Sequence, residues 1–533
     1  MPTFKLDSRE IPFEKGDTVI QAAHRAGIDI PHYCWHPGLS VAANCRMCLV
    51  EVMPPPGRPA MMLNVLAYDP KTKQYVDQQK PKLQPACQQA VSEGLEVKSE
   101  SSKHVEKARA AVQELLLLNH PVDCPICDQA GECRLQDYWL EHQHSAKRMR
   151  DEPVHKPKAE VFGPTIVYDA ERCIVCTRCV RFSEEVAKDP VLSVRERGNV
   201  NEIVVSPGRE LDHDYTLMTE HVCPVGALTS RDFRFKARVW FLRTARTVCQ
   251  ECATGCNAYM DYDPRNNTVY RHRPRENMEV NKYWMCDQGM LDYQRVHEDR
   301  LLQARIGAEA VKVGTALDRA AELLRGVEPG KLAVLLSGQH SMEDNFATLE
   351  LATKQLGATQ VFATGRPAGK SDDILKHADK NSNTAGVLAL TAPKKPLNFA
   401  ALANAIQSGA VTHVLALGSS IEDAALAPAL AKLKALVVLG TWNGPLAQAA
   451  HIALPAASWA EADGMFMNAK GMVQESEQAI EPLGQARPAW KLAAAIGVRL
   501  GASVPFKSLE ELRGALSGSG PKSKRPAVSG AVQ

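Results

Sequence analysis

Fifteen cysteines and one histidine fall into four groups of four, with no cysteine left over. The groups are Cys34, Cys45, Cys48 and Cys87; His120, Cys124, Cys127 and Cys133; Cys173, Cys176, Cys179 and Cys223; and Cys249, Cys252, Cys256 and Cys286. An odd cysteine count cannot pair completely, so a disulfide framework would strand one thiol. Sixteen soft or borderline donors in four sets of four suit four metal centres, and a chain that holds them must wrap loops around each. No cysteine follows Cys286 in the 533-residue chain, so this chemistry belongs to its first half.

Spacing narrows the metal. Cys34-x10-Cys45-x2-Cys48 sets three thiols on one loop, and Cys87 arrives from a distant strand. Plant-type ferredoxins hold a [2Fe–2S] cluster this way, with a shorter first gap. Asn44 and Arg46 flank these ligands and are candidates to donate hydrogen bonds to the sulfurs. His120-x3-Cys124-x2-Cys127-x5-Cys133 mixes one imidazole with three thiols. It reads either as a Cys3His zinc site or as a [4Fe–4S] cluster whose neutral histidine ligand changes the cluster charge. Cys173-x2-Cys176-x2-Cys179 with a later Cys223-Pro224 is close to diagnostic of a [4Fe–4S] cluster. Cys249-x2-Cys252-x3-Cys256 with Cys286 repeats the plan of three ligands on a loop and one downstream, and reads as a further [4Fe–4S] cluster with zinc as the alternative. One [2Fe–2S] and three [4Fe–4S] clusters make about 14 irons per chain. Four centres within so short a stretch must lie close together, which suits an electron wire better than a sensing or structural role.

The bulk numbers exclude other classes. Lys plus Arg (63) nearly equals Asp plus Glu (61), so no long-range field recruits nucleic acid or an anionic membrane. The N-terminal MPTFKLDSRE lacks the plan of a secretory signal, and Leu115 to Leu118 is far too short to span a bilayer. A cytoplasmic setting with reduced thiols is expected.

Along the chain, residues 3–6 and 10–13 alternate as strands, 18–26 reads as a helix capped by Asp17, 34–48 as a long loop and 49–53 as a strand. These features predict a ferredoxin-like α+β domain over residues 1–95. Residues 101–118 predict a helix with an apolar face at Val105, Ala108, Val112, Leu115 and Leu116. It leads into a second-group domain over 96–145, a [4Fe–4S] ferredoxin-like domain over 146–245 and a fourth cluster domain over 246–300. From about residue 301 to 516 strands at 332–336, 361–363, 414–417 and 435–439 alternate with helices such as 315–324 and 423–434, a doubly wound α/β pattern. The Gly/Ser/Lys/Pro-rich 517–533 reads as a disordered tail.

The stretches HYCWHPGLSVAANCRMCLVEV, NHPVDCPICDQAGECRLQD, ERCIVCTRCVRF, HVCPVGAL and CQECATGC carry a strong resemblance to the iron–sulfur G subunits of the bacterial NADH-quinone oxidoreductase, respiratory complex I. ADGMFMNAKGMVQESEQAIEPLGQARPAWK resembles the C-terminal region of the same family. The resemblance implies a ferredoxin-like β-grasp first domain, three clusters in series and a fourth present in some members only. It also implies an α/β domain like a truncated molybdopterin oxidoreductase fold, shorter than in most of the family. The implied function is one-electron relay from a flavin-containing NADH-oxidising partner towards quinone-linked subunits. The chain would then sit peripherally on the cytoplasmic side of the inner membrane, held by other peripheral-arm subunits. No residue serves as acid, base or nucleophile in that reading. The chain has no dinucleotide-binding glycine fingerprint near its N-terminus. Two other readings share the cluster regions. A molybdenum-dependent formate dehydrogenase needs a metal-binding cysteine or selenocysteine after Cys286, and a small hydrogenase subunit lacks the α/β half.

Overall fold

The computed structural model describes residues 1–143, 148–503 and 506–519. The chain divides into two compact units, residues 1–240 and the residues from Phe241 onward.

The first unit begins with a five-stranded mixed sheet in the order Arg9–Pro12, Thr3–Leu6, Glu96–Lys98, Leu49–Met53, Gln84–Pro85. Thr3–Leu6 pairs antiparallel with Arg9–Pro12 and parallel with Glu96–Lys98. The helix Val19–Arg25 packs Val19, Ile20, Ala22 and Ala23 inward. Its cap is Thr18, whose backbone N–H donates to the Gln21 side chain at 2.9 Å, rather than Asp17. Asp17 instead accepts from the Glu14 N–H at 2.7 Å and pairs with Arg25. The residues from Cys34 to Cys48 form a long loop containing no helix or strand. An exposed hairpin, Met62–Asp69 with Gln74–Pro81, follows the proline run and was not legible as strands.

The expected helix spans Lys103–Leu117 behind a Ser102 cap, but it buries Val105, Arg109 and Gln113. Leu115 is 67% exposed. The apolar pattern thus holds at Val105, with Ala108, Val112 and Leu116 half-buried, and fails at Leu115; Gln113 bonds the Tyr33 hydroxyl and the Leu135 carbonyl, which offsets the cost of its burial. Short strands then alternate with the helices Arg178–Glu185 and Leu217–His221.

The second unit starts with the antiparallel sheet Arg243–Val248, Asn257–Asp263, Thr268–Pro274. A seven-stranded sheet follows. Its order is Glu309–Val311, Ala304–Ile306, Ile452–Pro455, Ala435–Gly440, His413–Leu417, Leu332–Ser337, Gln360–Thr364. The last five are parallel to one another, as the buried apolar runs imply. Between two of them, Ala424–Lys432 is a 3₁₀ segment rather than the expected α-helix, because Pro428 inside it cannot donate a backbone hydrogen bond. The helix Leu509–Ser519 runs into the first residues of the expected tail, and the rest of that tail lies outside the described residues.

Candidate functional site

The loop of the first group brings its sulfurs together in two facing pairs, Cys34 with Cys45 and Cys48 with Cys87. In each pair a shared hydrogen bond holds one thiol below its ordinary value and pushes the other above it: Cys34 and Cys87 down, Cys45 and Cys48 up. Ala43 and Arg46 have positive φ, which turns the loop inward, and the backbone N–H groups of Asn44 and Cys45 donate to the Cys34 sulfur. The Asn44 side chain donates instead to the Val175 carbonyl at 3.1 Å. Asn44 thus reaches a sulfur through its main chain, as a wrapping loop requires.

In the second group Cys124, Cys127 and Cys133 lie within electrostatic reach of one another. Cys124 opens a short 3₁₀ turn and Cys133 precedes the helix Arg134–His142. Burial, reinforced by the nearby Arg172 charge, lowers the His120 imidazole to about 4, so the ring is neutral at pH 7. Its Nδ1 is buried without a hydrogen-bond partner. A neutral imidazole with an orphaned nitrogen, four residues before the first of three mutually close thiols, supplies donor types that fit a metal centre.

The third group supplies the clearest fit. Cys173, Cys176, Cys179 and Cys223 all line one small apolar-walled pocket, with Tyr168 and Leu228 beside them. Burial pushes Cys173, Cys176 and Cys223 up to about 11 and pushes Cys179 well up. Four such thiols stay protonated at neutral pH unless a metal takes the place of the protons. Val175 and Thr177, on either side of Cys176, are both β-branched and both at positive φ. That backbone is held at a cost of order 1–3 kcal/mol per residue, a strain characteristic of ligand-holding loops. The Tyr168 hydroxyl accepts from the Ile203 N–H at 3.0 Å and donates to the Cys173 sulfur.

These three sites interlock. Besides Asn44 and Val175, the Arg134 N–H donates to the Pro224 carbonyl at 3.1 Å, joining the second site to the end of the third. Gly226 carries this contact further: a Cβ there would stand 2.2 Å from the Cys127 sulfur, so only glycine fits. Arg172 pairs with Asp123 and Asp169 next to the same thiols. The second site also touches the first: the Tyr138 hydroxyl accepts from the His32 N–H at 3.2 Å, and Gln113 joins the Tyr33 hydroxyl to the Leu135 carbonyl.

The fourth group belongs to the unit of the parallel sheet. The antiparallel pair of Val248 with Asn257 presents Cys249, Cys252 and Cys256 on its connecting loop. Cys286 caps the helix Asp287–Leu291, its sulfur accepting from the Gly289 N–H at 3.4 Å. A Cβ at Gly289 would stand 2.9 Å from the Cys249 sulfur. The loop is seated by Arg366 on Glu251 at 2.8 Å and by the Ala469 N–H on the Ala253 carbonyl at 2.8 Å. Burial pushes Cys249 and Cys256 well up and Cys286 to about 12.

Among the described residues no three His, Cys, Asp or Glu side chains close on a single metal ion. A polynuclear cluster spreads its ligands around several irons. Sequence reading missed Tyr168, Arg178, Arg181 and Gly226. The signal that was available lies in the arginines, two cations in the first turn of a helix, where the helix dipole disfavours them. No helix among the described residues is long and apolar enough to cross a membrane.

Five known families match the chain, one over each cysteine group and one beyond. They are a 2Fe-2S iron-sulfur cluster binding domain over 1–102 and the NADH-ubiquinone oxidoreductase-G iron-sulfur binding region over 109–148. The NADH-quinone oxidoreductase subunit 3 ferredoxin-like domain matches 163–229, and the molybdopterin oxidoreductase Fe4S4 domain matches 242–298. The molybdopterin oxidoreductase family matches 314–499. The G subunits of NADH-quinone oxidoreductase are 34% identical over 384 residues in Streptomyces coelicolor and 33% identical over 358 residues in Rickettsia conorii. These alignments cover 70% and 66% of this chain but 42% and 49% of the relatives. The mitochondrial NADH dehydrogenase [ubiquinone] iron-sulfur protein 1 of Solanum tuberosum is 33% identical over 72% of this chain and 48% of its own length. The chain thus spans about half, or less, of the curated relatives it matches. It is homologous to these iron–sulfur proteins, and its fold is an iron–sulfur region followed by molybdopterin-oxidoreductase domains.

Proposed function

We propose that this chain, a relative of the G subunits of NADH-quinone oxidoreductase, is an electron-transfer subunit of an NADH:quinone oxidoreductase. It relays electrons from a flavin-containing, NADH-oxidising partner towards quinone-linked subunits. The observation that carries this reading is the interlocking of three thiol-bearing sites, the first with the third through Asn44 on Val175 and the second with the third through Arg134 on Pro224.

In this reading Cys34, Cys45, Cys48 and Cys87 hold a [2Fe–2S] cluster. His120, Cys124, Cys127 and Cys133, then Cys173, Cys176, Cys179 and Cys223, then Cys249, Cys252, Cys256 and Cys286 each hold a [4Fe–4S] cluster. The bound clusters supply one-electron exchange and nothing else. The chain's own residues do the rest. Their thiolates and the His120 ring bind, and burial keeps water from the sulfurs. Backbone amides at Asn44 and Cys45 and the Tyr168 hydroxyl direct hydrogen bonds at thiolates, which sets how readily each site is reduced. No side chain acts as acid, base or nucleophile. The α/β unit serves as a packing scaffold for neighbouring subunits, and the whole sits peripherally on the cytoplasmic side of the inner membrane, held by partners.

Native isolation of the tagged chain tests this. The expected result is about 14 irons per chain, both cluster types by electron paramagnetic resonance (EPR), and NADH-dependent quinone reduction in the isolated assembly. Zinc in place of iron, or an assembly that reduces NAD with formate or hydrogen, overturns it.

A further inference from the structure

Two arginines stand between the first and third cysteine groups. Arg178 and Arg181 lie in the first turn of the helix Arg178–Glu185, on either side of Cys179. Arg181 is 9% exposed. Its Nη2 donates to two main-chain carbonyls at once, that of Cys34 at 2.6 Å and that of Cys176 at 3.3 Å. One nitrogen thus bridges ligands of two different sites that lie far apart in sequence. Its Nη1 holds the Ser40 carbonyl, while Glu185 at the other end of the helix takes the Ser40 N–H at 2.8 Å. Arg178 donates to the Val222 carbonyl at 3.3 Å and to the Trp35 carbonyl. Its charge lies within electrostatic reach of Cys176, Cys45 and Cys34, and its Nε is buried without a partner.

Physical chemistry disfavours this arrangement in the bare protein. The N-terminal turn of a helix carries partial positive charge and repels cations. A buried guanidinium without a counter-ion is costly, and among the described residues every hydrogen bond of these two goes to a carbonyl or a hydroxyl. Buried Arg300, by contrast, answers the Glu461 carboxylate at 2.6 Å and Arg172 answers Asp123 and Asp169, while buried Arg109, among the described residues, meets only the Ser99 hydroxyl and the Leu49 carbonyl. The negative charge within reach here is that of thiolates on two sites.

We propose that Arg178 and Arg181 are the shared counter-charges of the first and third cluster sites, positioning residues that clamp the two ligand loops together and ease the reduction of both. The proposal rests on the iron–sulfur reading above. Reduction adds one electron, and hence one negative charge, at thiolates that these cations face in a low-dielectric interior. Fixed positive charge therefore favours the reduced state at both sites.

The test is an EPR-monitored redox titration of the full chain in its native assembly. It compares the parent with Arg178→Gln, Arg181→Gln, Arg178→Lys and Arg181→Lys. Arg209→Gln, at a half-exposed arginine paired with Asp189, is the control. The third-site signal is recognised by its loss in Cys176→Ser. Loss of a fixed positive charge in a low-dielectric interior disfavours the added electron. Each Gln variant should therefore shift both midpoints to more negative values, by about tenfold in the reduction equilibrium, ~59 mV for one electron. The Lys variants should recover most of the shift, and the control should show none. Intact signals with unmoved midpoints, a shift at one site only, or Lys variants that shift as far as Gln overturn this inference and leave the iron–sulfur reading standing. If a Gln variant loses iron, its Lys counterpart decides. Retained iron with near-parental midpoints supports the counter-charge role, and loss in both overturns it. A parent chain without [2Fe–2S] and [4Fe–4S] signals overturns the reading itself, and this inference with it.

Discussion

The strands of the parallel sheet are packed on both faces by aliphatic side chains: Leu332, Val334 and Leu336 on one, Ala333, Leu335 and Leu436 on the other. Buried charges in that unit meet opposite charges, as Glu343 meets Arg513 at 2.7 Å. Around the second and third cysteine groups the buried side chains include Arg172, Arg181, Asp128 and Asp169, with Cys127, Cys133, Cys176 and Cys179 among them. There several polar atoms, including His120 Nδ1, Arg178 Nε and Asp128 Oδ2, have no protein partner. The α/β unit pairs its buried Glu343 and Glu461 with its own arginines, although Arg305 Nε, Gln339 Oε1 and Ser458 Oγ are also buried without a partner. The first unit has its own apolar core around Phe4, Leu6, Val19 and Val97, and in the proposed reading metal held at its thiols adds the binding free energy to that core. The fourth cysteine loop, seated on the α/β unit by Arg366 and Ala469, stands on the α/β side of that contrast.

The largest effect that would break this comparison is iron removal. Chelation under reducing conditions should strip hydrogen-exchange protection from Lys103–Leu117 and Arg178–Glu185, while Leu332–Ser337 and Ala435–Gly440 keep theirs. Equal loss in both units would show that the sheet depends on metal too. Next comes the buried pair in the α/β unit. Glu461→Ala leaves Arg300 uncompensated and also frees the Ser458 and Leu483 N–H groups. It should cost about 3–5 kcal/mol by denaturant unfolding of the α/β unit, with EPR signals of the first three sites unchanged. Tyr168→Phe deletes one hydrogen bond to the Cys173 thiolate and should lower the third-site potential alone, by about 1.5–3 kcal/mol in the reduction equilibrium. A shift at the first site as well would place the effect in general unfolding. The smallest contrast lies on one helix. Leu115→Ala should stay within about 0.5 kcal/mol, whereas Gln113→Ala should cost about 1–3 kcal/mol because it orphans Tyr33 and the Leu135 carbonyl. A larger loss at Leu115 would return it to the apolar face that periodicity suggested.

Much of the second unit was legible because buried parallel strands are continuous apolar runs, and the four expected runs each became one. Ile452–Pro455 was missed, being short, and so was the antiparallel edge Ala304–Ile306 with Glu309–Val311, which lacks an apolar run. In the first unit the strands at 3–6 and 49–53 and the helix near 103–117 were readable. The inner face of that helix was readable only in part, since polar residues with specific long-range partners share it. The Met62–Asp69 hairpin was hidden because few of its side chains are buried enough to impose a pattern.

The grouping of the sixteen candidate ligands is a property of the sequence itself. A loop that offers three thiols to one centre must space them within a few residues, so local stereochemistry writes the pattern into the chain. The parallel strands are local in the same sense. The adjacency of the first and third loops, the hydroxyl of Tyr168 on Cys173, the two arginines between sites and the glycine against Cys127 are decided by tertiary structure alone. Each joins residues with no periodic relation, and only folding brings a carbonyl at Cys34 within reach of a guanidinium at Arg181.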